Sequence, residues 1–173
     1  MRFSIFLSTG LFLLVIGMLN AQAKNIFGLY EKVQLPEIGS QVIKAKLDTG
    51  ALTSSFGATD IHFFEKDGKE WVRFKPQIAG KAPKTIEKPI VRYSKIKTRS
   101  DDFRDDEDNS HSKRPVVVIN ICFDGTLYPT EVNLTDRSRF NYPLLLGSSA
   151  LVQFKAIVDP SVKYQSKTTQ CKL

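Results

Sequence analysis

At 173 residues, 42% hydrophobic and 25% charged, the chain is long enough for one domain with a sizeable core and too short for two. Its formal net charge of +7 does not mark a nucleic-acid binder, because the basic residues are spread along the chain and an acidic run interrupts them. We expect a solvated surface drawn to anionic envelope polymers or lipids, and no nucleic-acid partner.

The N-terminus sets the expected compartment. Arg2 gives a positive start, residues 11–19 are apolar apart from Gly17, and Ala21-Gln22-Ala23 has the small-residue form of a cleavage site. The apolar run is shorter than the roughly 20 residues that a bilayer requires. Residues 1–23 therefore read as a secretory signal peptide cleaved near Ala23, with a mature protein starting at Lys24 and working in the periplasm or outside the cell. In such a compartment Cys122 and Cys171 are able to pair, although Cys122 also fits as a small buried hydrophobe within the apolar run 116–123.

Beyond the leader the chain alternates short extended runs with turn residues and shows no sustained apolar stripe of helical period, which predicts a mostly β fold. Residues 42–47 place Ile43, Ala45 and Leu47 on one face and Lys44 and Lys46 on the other, a half-buried strand that ends at Asp48. Runs at 61–65 and 70–75 flank Asp67-Gly68, a pair suited to a two-residue hairpin turn. A weaker strand at 86–93 is interrupted by Pro89.

Asp101, Asp102, Asp105, Asp106, Glu107 and Asp108 then crowd together, and such a run reads as an exposed loop. It lacks the spacing of a calcium loop, so no metal is expected there. Residues 116–123 and 126–134 form a second hairpin around Asp124-Gly125, with Pro129 placing the return strand near an edge. Residues 144–147 are a short buried run, 148–151 a helical turn, and 154–158 the last strand.

The chemistry-bearing segment is Asp48-Thr49-Gly50-Ala51. Hydrolysis by carboxylates needs two carboxyl groups facing one water, one protonated and one ionised, because like charges about 3 Å apart do not both ionise. A strand would hold Asp48 rigidly, Thr49 would bond across to a partner, and Gly50 would admit backbone close to the carboxylate. No second Asp-Thr-Gly or Asp-Ser-Gly exists, since Asp124-Gly125-Thr126 has the wrong order and Asp159 precedes Pro160. A catalytic form must therefore be a homodimer with one Asp48 from each copy.

The segments Lys46-Leu47-Asp48-Thr49-Gly50-Ala51-Leu52-Thr53-Ser54-Ser55, Trp71-Val72-Arg73-Phe74, Arg114-Pro115-Val116-Val117, Leu134-Thr135-Asp136-Arg137-Ser138 and Tyr142-Pro143-Leu144-Leu145-Leu146-Gly147 stand in this order. Together they resemble the retropepsin-like aspartic peptidase family often labelled as ATP-dependent zinc proteases, over nearly all of residues 28–164. The resemblance implies an all-β fold, a closed six-stranded acid-protease barrel with one short helix, occupying residues 24–173. It implies Asp48 as the catalytic aspartate with Thr49 and Gly50 locking the dyad, Ala51 and Leu52 lining the substrate cleft, and Leu145, Leu146 and Gly147 supporting the site.

The zinc and ATP of that label find no basis here. The only histidines are His62 and His111, no His-Glu-x-x-His occurs, and no Gly-rich Lys-Ser/Thr loop is present, so neither a metal nor a cofactor is expected. The chain departs from the family pattern at Leu52 and Ser148, where arginine is usual, which implies different substrate or dimer contacts. Either the Asp67-Gly68 hairpin or the acidic segment is suited to cover the site.

The expected function is thus an aspartic endopeptidase acting on peptides or proteins. The alternative is a catalytically inactive periplasmic module on the same barrel that binds a peptide or an envelope protein, and fold alone does not separate the two.

Overall fold

The computed structural model describes residues 25–78, 84–97, 111–168 and Cys171. The expected leader at 1–23 and the acidic run at 101–108 lie outside these residues. The elements in chain order are β1 (Asn25–Gly28), β2 (Tyr30–Leu35), a 3-10 turn (Pro36–Ile38), β3 (Gln41–Asp48), β4 (Ser54–Lys66), β5 (Lys69–Pro76) and β6 (Ile86–Pro89). They continue with β7 (Arg92–Lys97), β8 (His111–Phe123), β9 (Thr126–Thr135), β10 (Leu144–Gly147), the helix α1 (Ser148–Gln153) and β11 (Ala156–Asp159).

Six strands close on themselves. The order β10-β3-β2-β8-β9-β4 returns to β10, because the short β10 runs parallel to β3 on one side and antiparallel to β4 on the other. Closure satisfies both edges of these strands, which is why Leu144-Leu145-Leu146-Gly147, with little side-chain polarity, is stable as a strand at all. Alternate residues of each strand point inward, so Ala45, Leu47, Phe56, Val117, Ile119, Val132, Leu134, Leu144 and Leu146 form the buried core. The fold is the all-β, six-stranded barrel with one short helix that the sequence implied.

Both two-residue turns are as the sequence predicts. Asp67 and Gly68 have φ of 54° and 67°, and Asp124 and Gly125 have φ of 48° and 79°, the doubly positive pair that matches the twist of a tight hairpin. Pro129 sits in the half of β9 that pairs only with β8; the other half, Val132 to Thr135, is the part that also pairs with β4. A proline lacking an N–H therefore costs no ladder bond on the open side.

Three details differ from the sequence expectation. The run 86–93 is two strands, with Ile90 N–H bonding back to Glu70 O (2.9 Å) and Val91 N–H to Val116 O (2.9 Å) at the break after Pro89. The last strand begins at Ala156 instead of residue 154, because Phe154 caps α1 and Lys155 turns the chain with φ of 54°. The strands β1 and β2 were not anticipated, and β1 pairs in parallel with β11 in a separate two-stranded sheet. Cys122 and Cys171 are joined as a disulfide, Cα to Cα 5.7 Å, which closes that question in favour of pairing.

Candidate active site

Asp48 ends β3, and β10 lies beside it in parallel register with Ala45 opposite Leu144 and Asp48 opposite Gly147. The two distant motifs of the sequence therefore meet. The turn after Asp48 is held almost entirely by backbone. Gly50 N–H donates to Asp48 Oδ1 (3.0 Å), Ser148 N–H donates to Ala51 O (2.7 Å) and Ser149 N–H to Leu52 O (3.2 Å). The amides that open α1 are without helical partners of their own, and here the turn's carbonyls satisfy them.

Gly147 makes this seat possible. A Cβ placed on it would stand 2.8 Å from Ala51 O, Leu52 O and Thr53 C, so any side chain would push the turn off the helix. Its own N–H donates to the buried Ser54 Oγ (3.0 Å). Among the supporting residues, Leu146 points into the core, while Leu145 is half-buried on the Asp48 face. Thr49, Gly50 and Leu52 are exposed and Ala51 is half-buried.

The surroundings of Asp48 are cationic. Lys46 Nζ lies 3.4 Å from Asp48 Oδ2, as expected for residues two apart on one face of a strand. Tyr30 of β2 is opposite Lys46 and stacks on Tyr142 with ring centroids 4.7 Å apart. Tyr142 O in turn accepts a hydrogen bond from Arg137 Nε (3.0 Å). Arg137 is only 7% exposed, and its guanidinium is less basic than usual, chiefly because of burial and next because of Arg114, while the charge of Asp48 opposes the shift. Burial likewise lowers the basicity of Arg114.

The segment bearing Arg137 is braced from one side. Gln77 Oε1 accepts from Arg137 N–H (2.7 Å), and Gln77 Nε2 donates to Asp136 Oδ1 (2.6 Å), which also takes the Ser138 N–H (2.8 Å). These bonds hold the Asp136 carboxyl below its ordinary range. The turn itself is reached by Arg92 of β7, which donates to Thr53 Oγ1 (3.0 Å) and to Glu131 Oε2 of β9 (2.7 Å).

Arg92 thus ties the Asp48 turn to β7. The Asp67-Gly68 hairpin meets that strand through Tyr93, whose hydroxyl donates to Glu70 Oε1 (3.2 Å). The acidic segment, the other expected cover, lies outside the described residues.

Sequence reasoning had singled out Asp48 to Leu52 and Leu145 to Gly147, and the structure brings these two groups together. It had not singled out Lys46, Ser54, Arg114 or Arg137 as site residues. All four lie inside the segments that carry the family resemblance, but charge or polarity alone does not distinguish a residue near the site from a solvated one.

A six-stranded barrel with one Asp-Thr-Gly turn docked on a Gly-then-helix element is a retropepsin-type architecture. The family model described as RimB-like, the retropepsin-like aspartic endopeptidase RimB, matches residues 26–169, and the chain belongs to that family. It is similar to a probable alpha-L-glutamate ligase of Desulfotalea psychrophila, 31% identical over 144 residues, covering 82% of this chain and 29% of that protein. A probable alpha-L-glutamate ligase of Shewanella pealeana is 33% identical, covering 82% of this chain and 30% of that protein. The chain therefore spans less than a third of the length of these curated relatives. The crystal structure of a Legionella pneumophila protein of unknown function superposes with a TM-score of 0.68 at 34% identity, covering 84% of this chain and 100% of that one.

Proposed function

We propose that this protein is an aspartic endopeptidase that works as a homodimer in the periplasm or outside the cell, after removal of residues 1–23. The observation that carries the reading is the placement of Asp48, fixed by Gly50 and the Gly147 seat yet open to solvent, with one carboxylate where the chemistry requires two. A second copy would supply the other. Leu52 in the turn and Val152 on the helix that docks on it are apolar and 73% and 78% exposed, side chains that a second copy would cover.

In the reaction, an ionised Asp48 takes a proton from a bound water as its oxygen attacks the peptide carbonyl carbon, and the protonated Asp48 of the other copy donates toward the carbonyl oxygen. The tetrahedral intermediate then collapses, the carbon–nitrogen bond breaks, the amine leaves with a proton from the dyad, and one hydroxyl of the intermediate returns its proton to the dyad. The products are a carboxylic acid and an amine, and the dyad is left with one proton. Thr49 would bond across the dyad, and Ala51 and Leu52 would line the cleft.

The substrate class we favour is an acidic peptide with α-linked glutamate. The relatives are named for joining α-L-glutamate, and Lys46 and Arg137 surround Asp48.

One alternative has an observation behind it. Lys46 Nζ already occupies Asp48 Oδ2 at 3.4 Å, as in a barrel that holds a peptide without cutting it. The mature chain and its Asp48→Ala variant, incubated with a diverse peptide library from about pH 4 to about pH 7, separate the readings. Cuts by the unmodified chain alone establish the peptidase. Absence of cuts at concentrations that force a dimer leaves the binding module.

A further inference from the structure

We infer that Arg114 and Arg137 form a paired-guanidinium seat for a carboxylate group of the bound peptide, next to Asp48. This rests on the peptide-binding cleft proposed above but not on its catalysis. The strand register brings the two arginines to one end of the barrel. Val116 of β8 pairs with Asn133 of β9; Arg114 stands two residues before Val116, and Arg137 two residues beyond the end of β9. The contacts Lys46–Asp48, Tyr30–Tyr142 and Tyr142–Arg137, with Tyr30 opposite Lys46, carry the same neighbourhood back to the aspartate.

Among the described residues the pair has no anion of its own. Among the described residues, only Nε of the Arg137 side chain has a hydrogen-bond partner, and neither arginine has a carboxylate within ion-pair distance. Two neighbouring cations withdrawn from water repel each other and gain from an anion placed between them. Asp48 is already paired with Lys46 and has its own role in the proposed reaction.

The seat is also built before a ligand arrives. Arg137 lies against the Phe140 ring, 4.5 Å from its centroid, and its segment is braced by Gln77 and Asp136, so its donors are fixed. Across the same sheet face run Lys46, Leu145, Ser55, Asn133 and Val116 in register. In this row the buried atoms Ser55 Oγ and Asn133 Oδ1 have no hydrogen-bond partner. The layer beneath the arginines is therefore polar and has unused hydrogen-bonding capacity, although Ser55 and Asn133 are themselves buried.

A peptide carries such a carboxylate in two places, a side chain or a free C-terminus. Three hexapeptides distinguish them: glutamate capped at both ends, glutamine with a free C-terminus, and glutamine capped at both ends. Binding to Asp48→Asn protein is measured calorimetrically, so that a failure of the peptidase reading leaves this result readable. We expect at least one carboxylate-bearing peptide to bind roughly tenfold tighter than the fully neutral one, a gap of about 1.4 kcal/mol. Arg114→Gln and Arg137→Gln should each remove most of that preference, Arg137→Lys should retain part of it, and Lys69→Gln, on the distant hairpin, should leave it intact. A preference that is absent from the parent, or that survives both glutamine variants, overturns the inference. Because each variant is judged by its ratio between peptides, a loss of folded protein alone does not mimic the result.

Discussion

The turn that carries Asp48 and the segment that follows β11 are both irregular backbone, and they differ in what anchors them beyond main-chain contact. The turn is held by main-chain groups, the amides of Ser148 and Ser149 and the bare α-carbon of Gly147, with Ser54 and Arg92 as side-chain supports. The C-terminal segment has such contacts too, Tyr164 N–H to Tyr30 O (2.8 Å) and the bare α-carbon of Gly28 against Val162 and Lys163, but its buried anchor is a side chain. Glu31, fully buried, accepts the N–H groups of Gly28 (2.6 Å), Gln165 (2.9 Å) and Ser166 (2.8 Å). Ser166 Oγ donates to Lys32 O (2.8 Å), and the Cys122–Cys171 disulfide ties the end to β8.

The difference is instructive because the two segments have different tasks. Main-chain contacts allow few alternative arrangements, so the Asp48 turn keeps its geometry at the cost of tolerating almost no substitution at Gly147. In the C-terminal segment a buried carboxylate and a covalent tie add to the main-chain contacts.

The largest expected effect on stability is at the C-terminal segment. Glu31→Leu leaves three amides without their acceptor, two of them bonded in buried surroundings, and should cost about 4 kcal/mol. Chemical denaturation would measure it, and limited proteolysis should show cleavage beginning after β11. A change below about 1 kcal/mol would mean that water replaces the carboxylate. Cys171→Ser should come next, at about 3 kcal/mol, because the bond closes a loop of 49 residues in the unfolded chain. The same proteolysis, with and without reductant on the unmodified protein, checks it.

Gly147→Ala reverses the pattern. Displacing the turn by the few tenths of an ångström to an ångström needed to relieve the 2.8 Å contacts should cost about 2 kcal/mol of stability. Any activity dependent on Asp48 should fall about a hundredfold, since misplacing a reacting group by that much is costly. Comparable losses of stability and activity in Glu31→Leu and Gly147→Ala would break the distinction drawn here.

The smallest effect concerns pH. The hydrogen bonds from Gln77 and Ser138 place the folded pKa of Asp136 below its ordinary value of 3.8. The stabilisation is then complete above the ordinary value and is lost as pH falls through the lower, folded one. Amide exchange at Arg137 and Ser138 should therefore be slow at about pH 5 and, after correction for intrinsic rates, less protected at about pH 3, with the Glu31-held segment as an internal reference.

Much of the fold was legible from local chemistry. Asp67-Gly68 and Asp124-Gly125 specify their hairpins because few other pairs accept two positive φ angles, and the alternation from Val42 to Leu47 specifies which face of β3 is buried. Tertiary contact shifted or supplied the rest. The strand predicted from Phe154 starts later because Phe154 is needed to cap α1, and a residue's own β propensity does not reveal such a competing use. Asn25 to Leu35 carried no turn pair or clean alternation, and its strands exist through pairing with β11, β3 and β8.

By itself, then, the sequence determined the β class, both tight turns, the Asp-Thr-Gly turn and the Leu-Leu-Gly run, since each depends on the conformational preferences of a few adjacent residues. Only the tertiary structure decided that Gly147 seats the Asp48 turn, that Cys122 pairs with Cys171, that Glu31 anchors the C-terminal segment, and that Arg114 and Arg137 share one neighbourhood. Each of these joins residues far apart in the chain, and no local preference encodes the closure of the barrel that brings them together.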